Sequence, residues 1–337
     1  MFCLNPHQKP SLDVEKKQPP VKEDKQDVNK LEYYLPPSIP PEVAAYESKI
    51  EQLGVGKAGK LGALVLGLEA DRHTGRTSVK TQYSKVPLYT QRALYLEEAL
   101  PGMAYMYIIS PSGGILQGDR YRMDITLENK ALAHLTTQGA TRLYRMEKNF
   151  ATQVVNINVG EGCYLEYVPD QIIPYKDSRF YQMANLRVHE TGTLVYSEAV
   201  TPGRVARGEK FDYDICYLKA VGRDQTTDKL RFFDVAILEP KKRSMKPFGM
   251  LENYDTFGTV YILMEKKHVA ELCEKINDSL KGVPGVLGGA TILSNNSGVM
   301  VRLLGNTFGE VKVAIFEVVR TVRSIVLHAP FSGIRKG

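Results

Sequence analysis

The chain has 337 residues, 43% of them hydrophobic and 24% charged, enough to bury a sizeable core as one large all-β domain or two average domains and too apolar for a disordered protein. Forty-four Lys and Arg against 38 Asp and Glu leave a formal net charge of +6, and the basic excess is scattered, which argues against a nucleic-acid partner. Four distant cysteines (Cys3, Cys163, Cys216, Cys273) form no C-x-x-C pair or disulfide framework, no apolar run reaches membrane-span length, and no leader pattern opens the chain, so the expectation is a cytoplasmic protein with no membrane partner.

Residues 1–50 carry Pro19-Pro20, Pro36-Pro37 and Pro40-Pro41 among Lys, Glu, Asp and Gln, and read as a flexible Pro/charged tail. Its later part contains Tyr33, Tyr34, Leu35 and Tyr46, which allow two readings, a segment laid on the body or a partner and a merely solvated extension. From about residue 60 to 262 the pattern is short alternating segments broken by Gly, Asn, Asp and Pro. Met123, Ile125 and Leu127 alternate with Asp124 and Thr126, and Val155, Ile157 and Val159 alternate with Asn156 and Asn158. Further strands are predicted over 163–168, 183–189, 193–200, 213–221, 230–238 and 257–264, with no helical stretch wide enough for a crossover. The domain 51–262 is therefore expected to be β.

Helical periodicity appears twice. Over 266–281 Val269, Leu272, Cys273, Ile276 and Leu280 share a stripe that Gly282 and Pro284 end; over 309–328 Val311, Ile315, Val318, Val319, Val322 and Ile325 do the same before Pro330. Between them, strands at 290–293 and 299–304 flank the turn Ser294–Gly298. Residues 263–337 are accordingly expected as a small α/β lobe with two helices, packed on the β domain.

Chemistry is sparse. The six histidines show no H-x-H or H-E-x-x-H spacing, and no nucleophile elbow or Ser/His/Asp pattern is present. Asp212-Tyr213-Asp214 fits a D-x-D metal or sugar-phosphate element and, more simply, a solvated strand face. The most distinctive segment is Ser110-Pro-Ser-Gly113-Gly114-Ile-Leu-Gln-Gly118-Asp119-Arg120, a glycine turn without the Lys-Ser/Thr or following helix of a phosphate loop; Asp119 and Arg120 are an expected ion pair. The second is Thr136-Thr-Gln-Gly139-Ala-Thr-Arg142-Leu-Tyr144-Arg145, where Arg142, Tyr144 and Arg145 are of the types that protein interfaces favour and equally serve core and surface roles.

In this order and spacing the two segments resemble the signature of the UreD (UreH) family of urease accessory proteins. Leu165-Glu166-Tyr-Val-Pro-Asp170-Gln171 and Gly203-Arg204-Val-Ala-Arg207-Gly-Glu209 resemble further family segments, and the likeness spans about 60–330. The C-terminal Ala329–Arg335 departs from the Pro-Arg-x-Trp pattern of the family, and the chain has no Trp.

The resemblance implies a mainly β, large irregular or solenoid-like body. It also implies a non-catalytic scaffold for urease maturation that binds apo-urease, a UreF-type helical protein and a UreG-type GTPase, with a dimer among the arrangements within the accessory complex. It brings no stably bound cofactor, only nickel in transit and GTP on the partner GTPase. Arg142, Tyr144, Arg145, Arg204 and Arg207 are the expected interface residues. Asp119, Glu166, Asp170, Gln171 and Glu209 are the expected polar wall of a metal channel, since a conduit needs isolated oxygen ligands that release their ion. Gly113, Gly114, Gly118 and Gly139 are expected in structural turns. Two other functions compete: a carbohydrate-active enzyme using Asp119, Asp212, Asp214 and Glu209, disfavoured by the absence of Trp, and a nickel-storage protein.

Overall fold

The computed structural model describes residues 28–49 and 59–333. In chain order the elements are α1 (Leu31–Tyr34), α2 (Pro41–Ala44), β1 (Leu61–Ala70), β2 (Thr77–Lys85), β3 (Tyr89–Thr90), β4 (Ala104–Ile109), β5 (Arg120–Glu128), β6 (Leu132–Thr137), β7 (Thr141–Leu143), β8 (Ala151–Val159), β9 (Tyr164–Tyr167), β10 (Ile172–Pro174), β11 (Arg179–Val188), β12 (Thr193–Val200), β13 (Ile215–Asp224), β14 (Leu230–Leu238), β15 (Thr256–Leu263), α3 (Val269–Leu280), β16 (Val286–Ile292), β17 (Gly298–Gly305) and α4 (Phe308–Val326).

These strands form two stacked sheets. The first runs β14-β13-β11-β8-β5-β1-β2, the second β16-β17-β15-β12-β9-β6-β4-β3 with β7 and β10 attached. From β4 to β13 the main strands alternate between the sheets, and each pairs in parallel with its neighbour one coil away: β5 with β8, β8 with β11, β11 with β13, and likewise β4, β6, β9 and β12. This is a solenoid: each coil stacks on the next by parallel strand pairing. Antiparallel neighbours (β2 beyond β1, β14 beyond β13, β15 to β17 beyond β12) finish both sheets, so the parallel stack exposes few open edges.

The alternation read from the sequence decides the layers. Inward residues such as Leu127, Ile157, Leu186 and Leu218 fill the space between the sheets. Outward Val195, Val260 and Val301 meet Leu272, Ile315 and Val322 of the two long helices, which cover the second sheet. Within the stretch expected as an α/β lobe packed on the β domain, β16 and β17 extend the second sheet and share its core, because β15 offers β17 a full antiparallel register.

Of the stretch read as a flexible tail, residues 1–27 lie outside the described residues. Residues 28–49 lie on the outer face of the first sheet, the packed alternative that their aromatics allowed. Tyr34 and Val43 are buried, the Tyr33 hydroxyl donates to Asp124 at 2.6 Å, and Arg179 stacks 4.6 Å above the Tyr46 ring. Asp124 is itself the end of a side-chain ladder, receiving from Asn156 at 2.6 Å, which receives from Asn185 at 2.7 Å.

Candidate functional site

The solenoid has two unlike ends. Where the chain passes from the first sheet to the second the connections are short turns (129–131, 160–163, 189–192). Where it passes back they are long loops (110–119, 138–150, 168–178, 201–214). All four motif segments fall at this second end. The loops stack as the strands do: Ile115 bridges Leu143, and β7 pairs in parallel with β10.

Beneath these loops, between the sheets, lies a cavity of about 410 Å³. Gly113, Gly114 and Thr137–Arg142 form its walls, and Gln153, Gln182, Tyr196 and Glu198 its floor. The floor is a buried polar chain: Gln153 Nε2 donates to Gln182 Oε1 at 3.0 Å, and Gln182 Nε2 to Glu198 Oε2 at 2.9 Å, with the Tyr196 hydroxyl 3.3 Å from the same oxygen. Burial is the largest influence on the Glu198 carboxyl and pushes it up to about 7, against the lowering pull of Tyr196, Arg302 and Gln182. A carboxyl that exchanges its proton near neutrality can trade it for a cation, and perturbed groups of this kind gather at functional sites. Ser197 Oγ, also at the cavity, is buried without a hydrogen-bond partner among the described residues.

The wall glycines have a steric reason. A Cβ on Gly114 would lie 2.4 Å from Tyr144 Cε2 and 2.5 Å from the Arg142 carbonyl oxygen, and one on Gly113 2.9 Å from the Tyr144 hydroxyl. Gly118 is needed for its backbone, at φ +74°. Gly139 is not constrained in either way: nothing lies within 4 Å of its Cβ position. Tyr144 packs on Tyr175 with centroids 5.0 Å apart, and the Arg204 guanidinium stands 4.1 Å from the Tyr175 ring while pairing with Glu209. The fold thus gathers Tyr144, Arg204 and Glu209, three residues from two distant segments, at the loop end. Arg142 and Arg207 are exposed there, and exposed Arg145 reaches Asp177 at 3.2 Å.

The expected channel residues scatter. Asp170 lines the cavity; Asp119, Glu166, Gln171 and Glu209 do not. Asp119 is fully buried and pairs with Lys60 at 2.7 Å, also accepting from the Leu116 and Lys60 amides and the Tyr121 hydroxyl. The expected Asp119–Arg120 ion pair is absent because neighbours at a strand start point to opposite faces; the Arg120 guanidinium turns instead to the Phe150 and Asp119 carbonyls and Asn149. Asp119 therefore organises the glycine loop from behind. Gln171 contributes its carbonyl to Thr141 N at 2.9 Å.

Glu166 faces outward, toward α4. Arg323 donates from Nε at 2.6 Å and Nη2 at 2.7 Å, Tyr164 donates at 2.7 Å, and His134 closes the set. Burial works to raise this carboxyl, but the bonds from Arg323 and His134 outweigh it and hold it well below the usual range. Phe331, in the divergent C-terminus, is buried 4.5 Å from the same guanidinium.

The carboxylates of the carbohydrate-enzyme reading are likewise committed. Asp214 holds Arg179 and Lys241, each at 2.6 Å, and Asp212 Oδ2 accepts the Lys210 amide at 3.2 Å. Among the described residues no three His, Cys, Asp or Glu side chains converge as a ligand set, and no helix is long and apolar enough to cross a membrane. Sequence reasoning missed Glu198, Gln153 and Gln182. Their signal was a polar residue at an inward register of an apolar strand, as in Thr193–Val200, where Leu194, Tyr196 and Glu198 share a face.

The model of the family described as UreD urease accessory protein matches residues 61–336. A urease accessory protein UreD of Cenarchaeum symbiosum is 42% identical over 285 residues, 85% of this chain and 99% of the relative. The UreD 2 protein of Brucella canis is 39% identical over 86% of this chain and 95% of its own, and the UreD of Yersinia enterocolitica 34% identical over 85% and 89%. Accessory proteins of this kind are maturation factors, not enzymes. With a match across all but the N-terminal part, and three of the four motif segments lining one cavity, the chain belongs to the UreD family of urease accessory proteins.

Proposed function

We propose that the chain is a cytoplasmic scaffold that binds apo-urease and, with a UreF-type helical protein and a UreG-type GTPase, assists nickel insertion, and that the cavity over Glu198 is part of the metal's route. The observation that carries this is the convergence of two signature segments on a cavity whose floor combines neutral amides with one proton-exchanging carboxyl. Such a floor suits transit. A divalent ion meets oxygen donors one or two at a time, which replaces part of its hydration without trapping it, and the Glu198 proton leaves as the cation arrives. The exposed Arg142 and Arg207 and the Tyr144–Tyr175–Arg204 stack at the same end offer forked donors and aromatic area to a partner.

Two measurements test the proposal. Co-expression with apo-urease and both accessory partners is expected to yield a complex that Arg142→Ala or Arg207→Ala weakens; no complex under any salt condition would refute the scaffold. Glu198→Gln is expected to leave assembly intact and lower the nickel content of the urease formed. Normal loading by that variant would remove the cavity from the route.

A further inference from the structure

We propose that Lys312 is a tethered cation closing a second doorway of the cavity, on the α4 side, and that a divalent ion reaching Asp170 displaces it; this rests on the transit reading above. Asp170 and Pro169 form a rim shared by the main cavity and by a crevice of about 10 Å³ between the second sheet and α4. That crevice has room for about one water, so a single side chain decides whether it is open. The side chain is Lys312. Its Nζ lies 3.3 Å from Asp170 Oδ1, and it is 31% exposed where Asp170 is 13% exposed, so the pair spans from inside to outside.

Geometry separates the fixed parts from the movable one. Thr307 and Glu310 close a capping box at the start of α4, and Thr137 Oγ1 accepts the Asp170 amide at 2.9 Å, so both door posts are anchored. Phe308, Lys312 and Phe316 fall one turn apart on one helix face, and the two rings lie 5.7 and 5.5 Å from Nζ. Asp170 and the ring faces hold the ammonium in place.

An ion with two charges outcompetes it. A divalent cation approaches a carboxylate oxygen to about 2 Å, closer than any ammonium, and its attraction scales with charge over distance. The flexible stem of Lys312 then lets the released ammonium swing into water. A lysine used in this way blocks the doorway to other monovalent cations and yields to the cargo.

The experiment is reductive methylation of the full-length chain, read at Lys312 by peptide mass spectrometry against the exposed Lys130. Nickel is expected to raise the Lys312 rate about two- to fivefold, the factor by which an ion pair of this exposure weights the bound side chain. Asp170→Asn is expected to reach the raised rate without metal and to lose the response, and Asp170→Ser serves as its replicate. An unchanged wild-type rate with nickel, or a response persisting in both variants, overturns the doorway. Co-purification of the wild-type chain with apo-urease is scored separately, so a doorway that fails while the complex forms is distinguishable from failure of the scaffold reading.

Discussion

Glu166 and Glu198 sit on adjacent parallel strands, β9 and β12, of one sheet, and both are buried, yet their carboxyls are driven in opposite directions. Glu166 points outward to α4, where Arg323 and His134 saturate it. Glu198 points inward with Leu194 and Tyr196, and among the described residues its hydrogen-bond donors are the neutral Gln182 and Tyr196. Burial raises the energy of either charge; what differs is whether a cation is built in. The saturated site is a clamp that ties α4 to the solenoid. The other, at the cavity, has no cation hydrogen-bonded to it among the described residues, which leaves room for a cation from outside.

The harshest way to break this comparison is to remove the cation from the clamp. Arg323→Met leaves Glu166 buried and uncompensated and is expected to cost about 3–5 kcal/mol in urea denaturation, much of it recovered by adding Glu166→Gln. A loss below ~1 kcal/mol would mean that the clamp is not what holds α4.

The next probe is pH. A carboxyl raised in the folded chain binds its proton better there than when unfolded, so its stabilising contribution is full below about pH 4.5 and is lost as pH rises through about 7. Across that window the wild-type chain is expected to lose on the order of 2–3 kcal/mol relative to Glu198→Gln, which lacks the dependence. Parallel denaturation curves for the two chains at every pH would equate Glu198 with an ordinary surface carboxylate.

Smaller effects come from the cavity wall. Gly114→Ala forces a methyl group against Tyr144 and the Arg142 carbonyl and is expected to cost about 1–3 kcal/mol, whereas Gly139→Ala, in open space, is expected to change stability by less than about 0.5 kcal/mol. Equal losses from the two would show that the wall is not packed as described. Mildest of all, Arg207→Ala touches neither carboxylate and is expected to leave the Tm unchanged while weakening partner binding, read by co-purification.

Much of the architecture was legible because it is periodic. Alternation in 121–128 and 193–200, the helical stripes of 266–281 and 309–328 and the glycine-bounded turns all have local causes, and the structure contains β5, β12, α3 and α4 close to those limits. The four motif segments were likewise readable. Their shared location was not, since a linear motif does not state which end of a coil it caps. Glu166 drew attention because it lies in a motif, and Glu198 escaped it because it lies in a strand that otherwise reads as core.

The sequence by itself determined the strand faces, the helices, the family and the loop segments that carry its signature, because side-chain periodicity and turn chemistry act over a few residues. Only the tertiary structure decided which partner each buried charge received: Lys60 for Asp119 across 59 positions, Arg323 for Glu166 across 157, and, among the described residues, no cation within bonding reach of Glu198. Electrostatic pairing depends on distances of a few ångströms between residues remote in the chain, and the stacking of coils sets those distances.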